Sequence, residues 1–251
     1  MISAGIDIGS RTIKVVLLED NKIIYSKVVE NTYSPIETCK TLLAELSYDS
    51  ITATGYGRHL FADHFTSEVI SEIKAFALGV HHELPNTRTI LDIGGQDTKA
   101  IGIDENGNIK KFEMNDKCAA GTGRFLEIMA MALRFNLDEF GEKALSTDKH
   151  ENINSMCAVF AESEIISMLA NGADRYEVAR GIHYSVIRKS MALIKRVGMQ
   201  KDIAFAGGGA KSIGLKTLME ELYQQPVFVP KDPQIMGALG CAIHSQSVLA
   251  N

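Results

Sequence analysis

Two short segments of the chain share one pattern, in which an apolar run reaches an aspartate and then breaks at glycine. They read GIDIGSRT at 5–12 and LDIGGQDT at 91–98. An aspartate at a strand end can hold a hydrated Mg²⁺, and glycine lets backbone N–H groups approach a phosphate. We therefore expect two loops that face each other and clamp a polyphosphate from both sides.

Polar side chains beside these glycines strengthen the phosphate interpretation. Ser10, Thr12 and Thr98 supply hydroxyl groups, while Arg11 and Lys14 supply cations that complement phosphate oxygens. One glycine loop alone is weak evidence, because a glycine after a strand usually marks only a turn. The duplication makes the pattern informative.

The strands around the two segments are duplicated as well. Alternating apolar residues predict six strands, at 2–8, 13–19, 22–29, 88–93, 97–103 and 108–113. Between the two sets, the pattern predicts helices at 35–46 and 69–83 and a strand at 50–54. The chain therefore repeats a three-stranded unit after about 85 residues.

Composition narrows the class of protein. A chain of 251 residues with 45% hydrophobic content is typical of one large globular domain or two lobes. The net charge of −5, without a basic stripe, argues against nucleic acid as a partner. We find no apolar window of about 18 residues and no basic leader segment, so we expect a cytoplasmic protein with no membrane partner.

A third glycine cluster follows a helical region. Helical spacing dominates residues 121–198, and a strand at 202–206 then ends in Gly207, Gly208 and Gly209. A strand that turns into a helix through such glycines can pass close to a flat base and ribose. A further helix is predicted to begin at Pro233.

Together, the duplicated aspartate loops and the late strand–glycine–helix turn resemble the phosphate and adenosine motifs of the actin/Hsp70/sugar-kinase ATPase superfamily. The resemblance implies that Asp7 and Asp92 organise Mg²⁺, and that Gln96 and Asp97 position the attacking water or sense the γ-phosphate. The other nucleotide-binding residues that it implies are Gly9, Ser10, Arg11, Thr12, Lys14, Gly94, Gly95, Gly207, Gly208, Gly209, Lys211 and Gln234.

The same resemblance implies an α/β, actin-like ATPase fold, with two RNase H-like lobes around a nucleotide cleft and a helical layer that bears the cysteines discussed next. The first lobe covers residues 1–84, with the last helix, 233–251, packing back on it. The second covers residues 85–232, with a helical insertion at about 114–200.

Two of the four cysteines precede predicted helices. Cys118 and Cys157 are placed where a helix N-terminus favours the thiolate, whereas Cys39 and Cys241 lie inside predicted helices and are interpreted as structural. A [4Fe–4S] cluster needs four thiolates, which one chain with two such cysteines does not supply and a two-fold dimer could. The alternative is that both are small core hydrophobes.

Three segments carry a narrower resemblance, namely TGYGR at 54–58, CAAGTGRF at 118–125 and CAVFAESE at 157–164. They closely resemble the ATP-dependent activators of 2-hydroxyacyl-CoA dehydratases and the ATPase subunits of benzoyl-CoA reductases, over essentially the whole chain. The resemblance implies a homodimer with one [4Fe–4S] cluster bridged by Cys118 and Cys157. It also implies that the Gly121-Thr122-Gly123 turn and Glu162 reach the nucleotide.

In such proteins, ATP binding and hydrolysis are coupled to delivery of a low-potential electron to a partner iron–sulfur enzyme, with a ferredoxin or flavodoxin as donor. Lys74-Ala75 departs from the Cys-His that dehydratase activators commonly show, which leaves a double-cubane cluster protein open as the partner. A small-molecule kinase, or a non-catalytic nucleotide sensor or polymer, would share the phosphate and adenosine motifs but not need the cysteines. Arg58 contacts either the nucleotide, the partner or a loop carbonyl.

Overall fold

A computed structural model describes residues 1–155, 157–200 and 202–249. The chain forms two compact units. The first comprises Met1–Arg88, Ile103–Lys110 and Pro230–Asn251, and the second comprises Thr89–Gly102 and Lys111–Val229. Helices and strands alternate in both.

The first unit contains a five-stranded sheet. Its strands are β1 (Ile2–Ile8), β2 (Thr12–Glu19), β3 (Lys22–Glu30), β4 (Ser50–Thr54) and β5 (Glu68–Val69), in the order β3-β2-β1-β4-β5. Strand β1 is antiparallel to β2 and parallel to β4. Its apolar side chains after Ile2 are buried, including Ile6 and Ile8, so the strand that carries Asp7 runs through the core.

Three helices connect these strands, α1 (Pro35–Leu43), α2 (Arg58–Ala62) and α3 (Glu72–Glu83). Helix α3 begins three residues later than the sequence predicted. Val69 instead pairs with Ala53 in the sheet, and the Ser71 side chain then accepts a hydrogen bond from the backbone N–H of Lys74. A strand followed by a serine cap therefore fixes the start of α3.

The second sheet repeats the strand order of the first. Its strands are β6 (Thr89–Ile93), β7 (Thr98–Ile103), β8 (Ile109–Asn115), β9 (Ile203–Ala206) and β10 (Val227–Phe228), in the order β8-β7-β6-β9-β10. Strand β6 is antiparallel to β7 and parallel to β9, as β1 is to β2 and β4. The duplication thus extends from the three predicted strands to all five.

In sequence, the helical region of the second unit lies between β8 and β9. Its helices are α4 (Gly123–Ala132), α5 (Leu137–Leu145), α6 (Ala158–Ala170) and α7 (Arg175–Arg196), and α8 (Ile213–Tyr223) follows β9. Helix α4 packs against α5, α6 and α7. Phe125, Phe140 and Phe205 are fully buried among them, so these helices share one core with the sheet.

The last helix, α9 (Met236–Leu249), packs against α3, β1 and β4 of the first unit. A methyl group at Gly240 would overlap the carbonyl of Ala75, and one at Gly5 would overlap that of Ala238. Small residues therefore let α9 approach its neighbours closely. The helix starts at Met236 rather than the predicted Pro233, because Asp232 accepts hydrogen bonds from the N–H groups of Gln234 and Ile235 in a turn.

Helix α7 contains a histidine that makes the stability of the fold dependent on pH. His183 is fully buried, its Nδ1 lies 2.8 Å from the Ala179 carbonyl oxygen, and its ring centroid lies 4.7 Å from that of Phe140. Burial lowers the pKa of His183 from 6.5 to about 4, although the Ala179 carbonyl opposes the shift. The folded protein therefore keeps this imidazole neutral in mildly acidic solution.

We expect the free energy of unfolding to fall by about 2 kcal/mol between pH 7.5 and pH 5 through this residue. Below pH 6.5 the unfolded chain takes up a proton at His183 while the folded chain does not, so acid favours unfolding. Urea unfolding at both pH values measures the difference. It should shrink in His183→Leu and persist in His59→Leu, which changes an exposed histidine; equal pH dependence in all three proteins would contradict the assignment.

Candidate functional site

Asp7, in the first unit, forms a buried ion pair. Its carboxylate Oδ2 lies 3.0 Å from Nζ of Lys14, its neighbour across the β1–β2 pair. Just beyond, the Gly9 N–H donates to the carbonyl of Thr12 at 3.1 Å, and the Asn31 amide donates to the carbonyl of Gly9 at 2.7 Å. These two hydrogen bonds therefore restrain the loop that connects β1 to β2.

The tip of this loop is open to solvent. Ser10 and Arg11 are exposed, and Thr12 is half-buried at the start of β2. A fixed backbone that presents a hydroxyl group and a guanidinium group to solvent is suited to binding an anion.

Asp92, in the second unit, is held in the same way and has an additional carboxylate neighbour. Lys99 Nζ lies 3.2 Å from Oδ2 of Asp92 and 2.8 Å from Oδ1 of Asp97, and the lysine side chain is only 3% exposed. The Gly94 N–H donates to the Asp97 carbonyl at 2.9 Å, which closes the loop. Gln96 lies at its exposed tip.

Sequence reasoning missed Lys99. Lys14 follows Asp7 by seven positions and Lys99 follows Asp92 by seven, and in both sheets the two residues face each other across an antiparallel pair. That shared offset is a signal in the sequence that could have identified Lys99. The buried ammonium of Lys99 offsets one of the two negative charges of Asp92 and Asp97.

The adenosine-type turn has a counterpart that the sequence motifs did not reveal. Gly207, at φ +79°, leaves no room for a methyl group beside Asp92 Oδ1, and Gly55, at φ +91°, leaves none beside Asp7 Oδ1. Gly209 lies against Ile93 as Gly57 lies against Ile8. Each aspartate is thus bordered by a Gly-x-Gly turn from the parallel neighbouring strand.

Arg58 belongs to the first of these turns. Its Nη1 donates to the Gly55 carbonyl at 3.0 Å. Of the roles considered for this side chain, the structure shows the contact with a loop carbonyl.

The remaining residues predicted to bind nucleotide lie outside the two aspartate loops. Gly208 and Lys211 are exposed in the short 3₁₀ helix after β9, Gln234 is half-buried before α9, and Glu162 is exposed on the second turn of α6. Exposure leaves three of these four residues accessible to a ligand, and their contact with nucleotide stays a prediction.

Hydrogen bonds join the loop after Asp92 to the segment that contains Cys118. The N–H groups of Gly123 and Arg124 donate to the carbonyls of Gly94 and Gly95, both at 2.9 Å. The buried Thr98 hydroxyl donates to the Gly121 carbonyl at 2.7 Å. The start of α4 is therefore attached to the predicted phosphate loop.

Polar side chains also restrain the backbone at or just before the two candidate cluster cysteines. Cys118 is exposed, and Asn115 binds its backbone at both ends, the Nδ2 group donating to the Cys118 carbonyl at 2.9 Å. Cys157 is exposed and immediately precedes α6, where Glu164 accepts from the backbone N–H groups of Asn154 and Ser155. Helices α4 and α6, which follow Cys118 and Cys157 in sequence, pack together.

Burial raises the pKa of Glu164, but hydrogen bonds from Ser155 and Asn154 outweigh it and hold the pKa below its ordinary value. This carboxylate therefore stays ionised at neutral pH. Its charge-assisted hydrogen bonds restrain the segment that leads to Cys157.

The other two cysteines are buried, as the sequence predicted. Burial raises the pKa of the Cys39 thiol to about 11. Burial, with the negative charge of Asp7, raises the pKa of Cys241 well above its ordinary value. Both side chains are therefore neutral thiols packed in the core of the first unit.

Among the described residues, no three or more His, Cys, Asp or Glu side chains form a group that could hold a metal ion by themselves. The described helices also include none with the length and apolar character needed to span a membrane.

The fold is that of the actin-like ATPases. More narrowly, the chain belongs to the BadF/BadG/BcrA/BcrD ATPase family, whose model matches residues 4–245. Family and fold class therefore confirm the resemblance drawn from the sequence motifs.

Three proteins that are similar to this chain are named as activators or components of 2-hydroxyacyl-CoA dehydratases. The activator of lactoyl-CoA dehydratase from Anaerotignum propionicum is 43% identical over 98% of this chain and 97% of its own. The activator of the 2-hydroxyisocaproyl-CoA dehydratase from Clostridium difficile, solved with bound ADPNP, is 37% identical with a TM-score of 0.90, over 100% of this chain and 96% of its own. Component A of the (R)-2-hydroxyglutaryl-CoA dehydratase from Acidaminococcus fermentans is 36% identical with a TM-score of 0.93, over the full length of both chains.

Proposed function

We propose that this ATPase is an electron-transfer activator, which acts as a homodimer with one bridging [4Fe–4S] cluster and reduces a partner iron–sulfur enzyme of the 2-hydroxyacyl-CoA dehydratase type. A ferredoxin or flavodoxin supplies the electron. The activator names of the relatives and the placement of the two exposed cysteines support the proposal.

In this proposal, Asp7 and Asp92 are carboxylates that take part in Mg²⁺ binding. Oxygen ligands of this kind suit Mg²⁺, which usually keeps several of its waters. Asp97 and Gln96 position the attacking water, and the backbone N–H groups of the two glycine loops bind phosphate oxygens. Lys14 and Lys99 hold the two aspartates in place.

One chain offers two of the four thiolate ligands that a [4Fe–4S] cluster needs. Cys118 and Cys157 are the two exposed cysteines, and both precede helices that pack together. Thiolates are the ligands that iron–sulfur clusters require. A two-fold dimer doubles this pair to four thiolates. When bound, the cluster would store and release one electron at a time.

The observation that carries the proposal is the connection between the phosphate loop and the Cys118 segment. Gly94 and Gly95 accept hydrogen bonds from the first residues of α4, and Thr98 donates to Gly121 three residues after Cys118. A nucleotide that shifts the phosphate loop would thereby shift the cysteine segment. Such a connection has a clear use in an ATPase that controls electron release.

Metal analysis of cysteine variants tests the proposal. We expect anaerobically purified protein to contain about four iron and four acid-labile sulfide per dimer, and Cys118→Ser and Cys157→Ser each to lose both. Cys39→Ala and Cys241→Ala, which change buried cysteines, are controls that should retain them. An iron-free wild type, or iron retained after loss of either exposed cysteine, would contradict the bridging cluster.

A further inference from the structure

Lys189, on α7, has a charged group in an unusual environment. Its Nζ atom is shielded from solvent and has no hydrogen-bond partner among the described residues. It lies 5.5 Å from the centroid of the Phe125 ring, on α4. A buried ammonium without hydrogen bonds is costly, and one aromatic face compensates only part of that cost.

The side chain of Lys189 lies against Gly121, three residues after Cys118. A methyl group placed on Gly121 would lie 3.6 Å from both Cβ and Cδ of Lys189, so the lysine stem is in contact range of this turn. Burial lowers the pKa of Lys189, and the negative charge of the Cys118 thiolate raises it. The group that favours the charged lysine is therefore the candidate cluster ligand.

We propose that Lys189 is a positioning residue that compensates the negative charge at Cys118 and makes the cluster proposed there easier to reduce. This inference rests on the proposed function. When a one-electron donor reduces the cluster, the total charge of the cluster becomes more negative by one, and a nearby buried cation stabilises that product. Lys189 therefore raises the reduction potential without being a ligand.

The same geometry argues against a role for Lys189 in general stability alone. A buried lysine with only structural purpose would be expected to reach a carbonyl or a carboxylate, because unpaired buried charge is destabilising. Its Nζ instead lies over an aromatic ring, and its stem lies against the glycine turn after Cys118. Replacement by an apolar side chain of similar length should thus be tolerated by the fold.

A redox titration of the anaerobic holoprotein, without nucleotide and with Ti(III) as the reductant, tests the inference. In Lys189→Met we expect the ratio of reduced to oxidised cluster, at a fixed solution potential, to fall about tenfold, which corresponds to about 59 mV for a one-electron couple. Lys189→Arg should stay near wild type. Lys195→Met removes the same charge from an exposed position on α7 and is the matched control.

Loss of iron from Lys189→Met but not from Lys189→Arg, at unchanged melting temperature, would also support charge compensation. A wild-type potential in a cluster-bearing Lys189→Met would overturn the inference and leave the proposed function intact. An equal shift in Lys195→Met would overturn it too, as would a change confined to the KM for ATP. A wild type without iron would overturn the inference together with the proposed function.

Discussion

Replacing Gly207 with alanine is expected to reduce MgATP hydrolysis by roughly 100-fold, the size of effect seen when a preorganised electrostatic contact in an active site is lost. The added methyl group would overlap Oδ1 of Asp92 and lie 2.7 Å from the Ile93 carbonyl oxygen. Both neighbours belong to the buried strand β6, so the aspartate carboxylate must move. Steady-state ATPase assays at saturating Mg²⁺ measure the loss.

Gly198 provides a control with the same φ angle. It also has φ +79°, but nothing lies within 4 Å of a methyl group placed there. Gly198→Ala should therefore lower stability by about 1 kcal/mol through backbone strain and leave ATP hydrolysis near wild type. If the two variants lose activity equally, the overlap with Asp92 is not the cause and the assignment of this turn to the nucleotide site fails.

Much of the fold could be predicted because its pattern is local and repeated. The two aspartate segments, the hairpin strands beside them and the glycine turn after β9 are each recognisable within a short stretch of sequence. Asp20 and Asn21, both in the left-handed region, form the turn between β2 and β3 that the sequence predicted. Local signals of this kind depend on backbone preferences that single residues carry.

The full extent of the duplication could not be predicted from those signals. The turn at 55–57 resembles Gly207–Gly209 only weakly in sequence, since Tyr56 stands where Gly208 does. Its equivalence emerges once Asp7 pairs with Thr54 and Asp92 with Ala206 in parallel register. Register between strands that are distant in sequence is set by packing of the whole sheet.

Contacts between side chains that are far apart along the chain could not be predicted from the sequence either. Lys189 lies far along the chain from Cys118, and helical periodicity alone does not distinguish it from Lys195, the other lysine of the same helix. Glu164 similarly reads as a solvent-facing residue until the chain before Cys157 folds back to donate to it. Such residues are identified by tertiary contacts that no local pattern encodes.

Replacing Lys99 with methionine is expected to lower kcat for MgATP by about 100-fold and to destabilise the protein by about 3–5 kcal/mol. The ammonium lies 3.2 Å from Asp92 and 2.8 Å from Asp97, and water does not reach it. Without it, both carboxylates lose the ammonium that pairs with each of them. Asp92 would then leave the position from which it is proposed to bind Mg²⁺. ATPase assays and urea unfolding measure the two effects.

A second substitution separates charge balance from catalysis. Asp97→Asn removes one of the two carboxylates, so the double variant Lys99→Met/Asp97→Asn should recover much of the lost stability, as expected for coupled neighbours. It should not recover hydrolysis, because Asp97 is proposed to position the attacking water. Lys110→Met, at an exposed position on β8, controls for loss of a lysine charge elsewhere. Wild-type kcat in Lys99→Met would show that the buried ion pair is structural only, whereas recovered stability without recovered activity would place Lys99 and Asp97 in one catalytic unit.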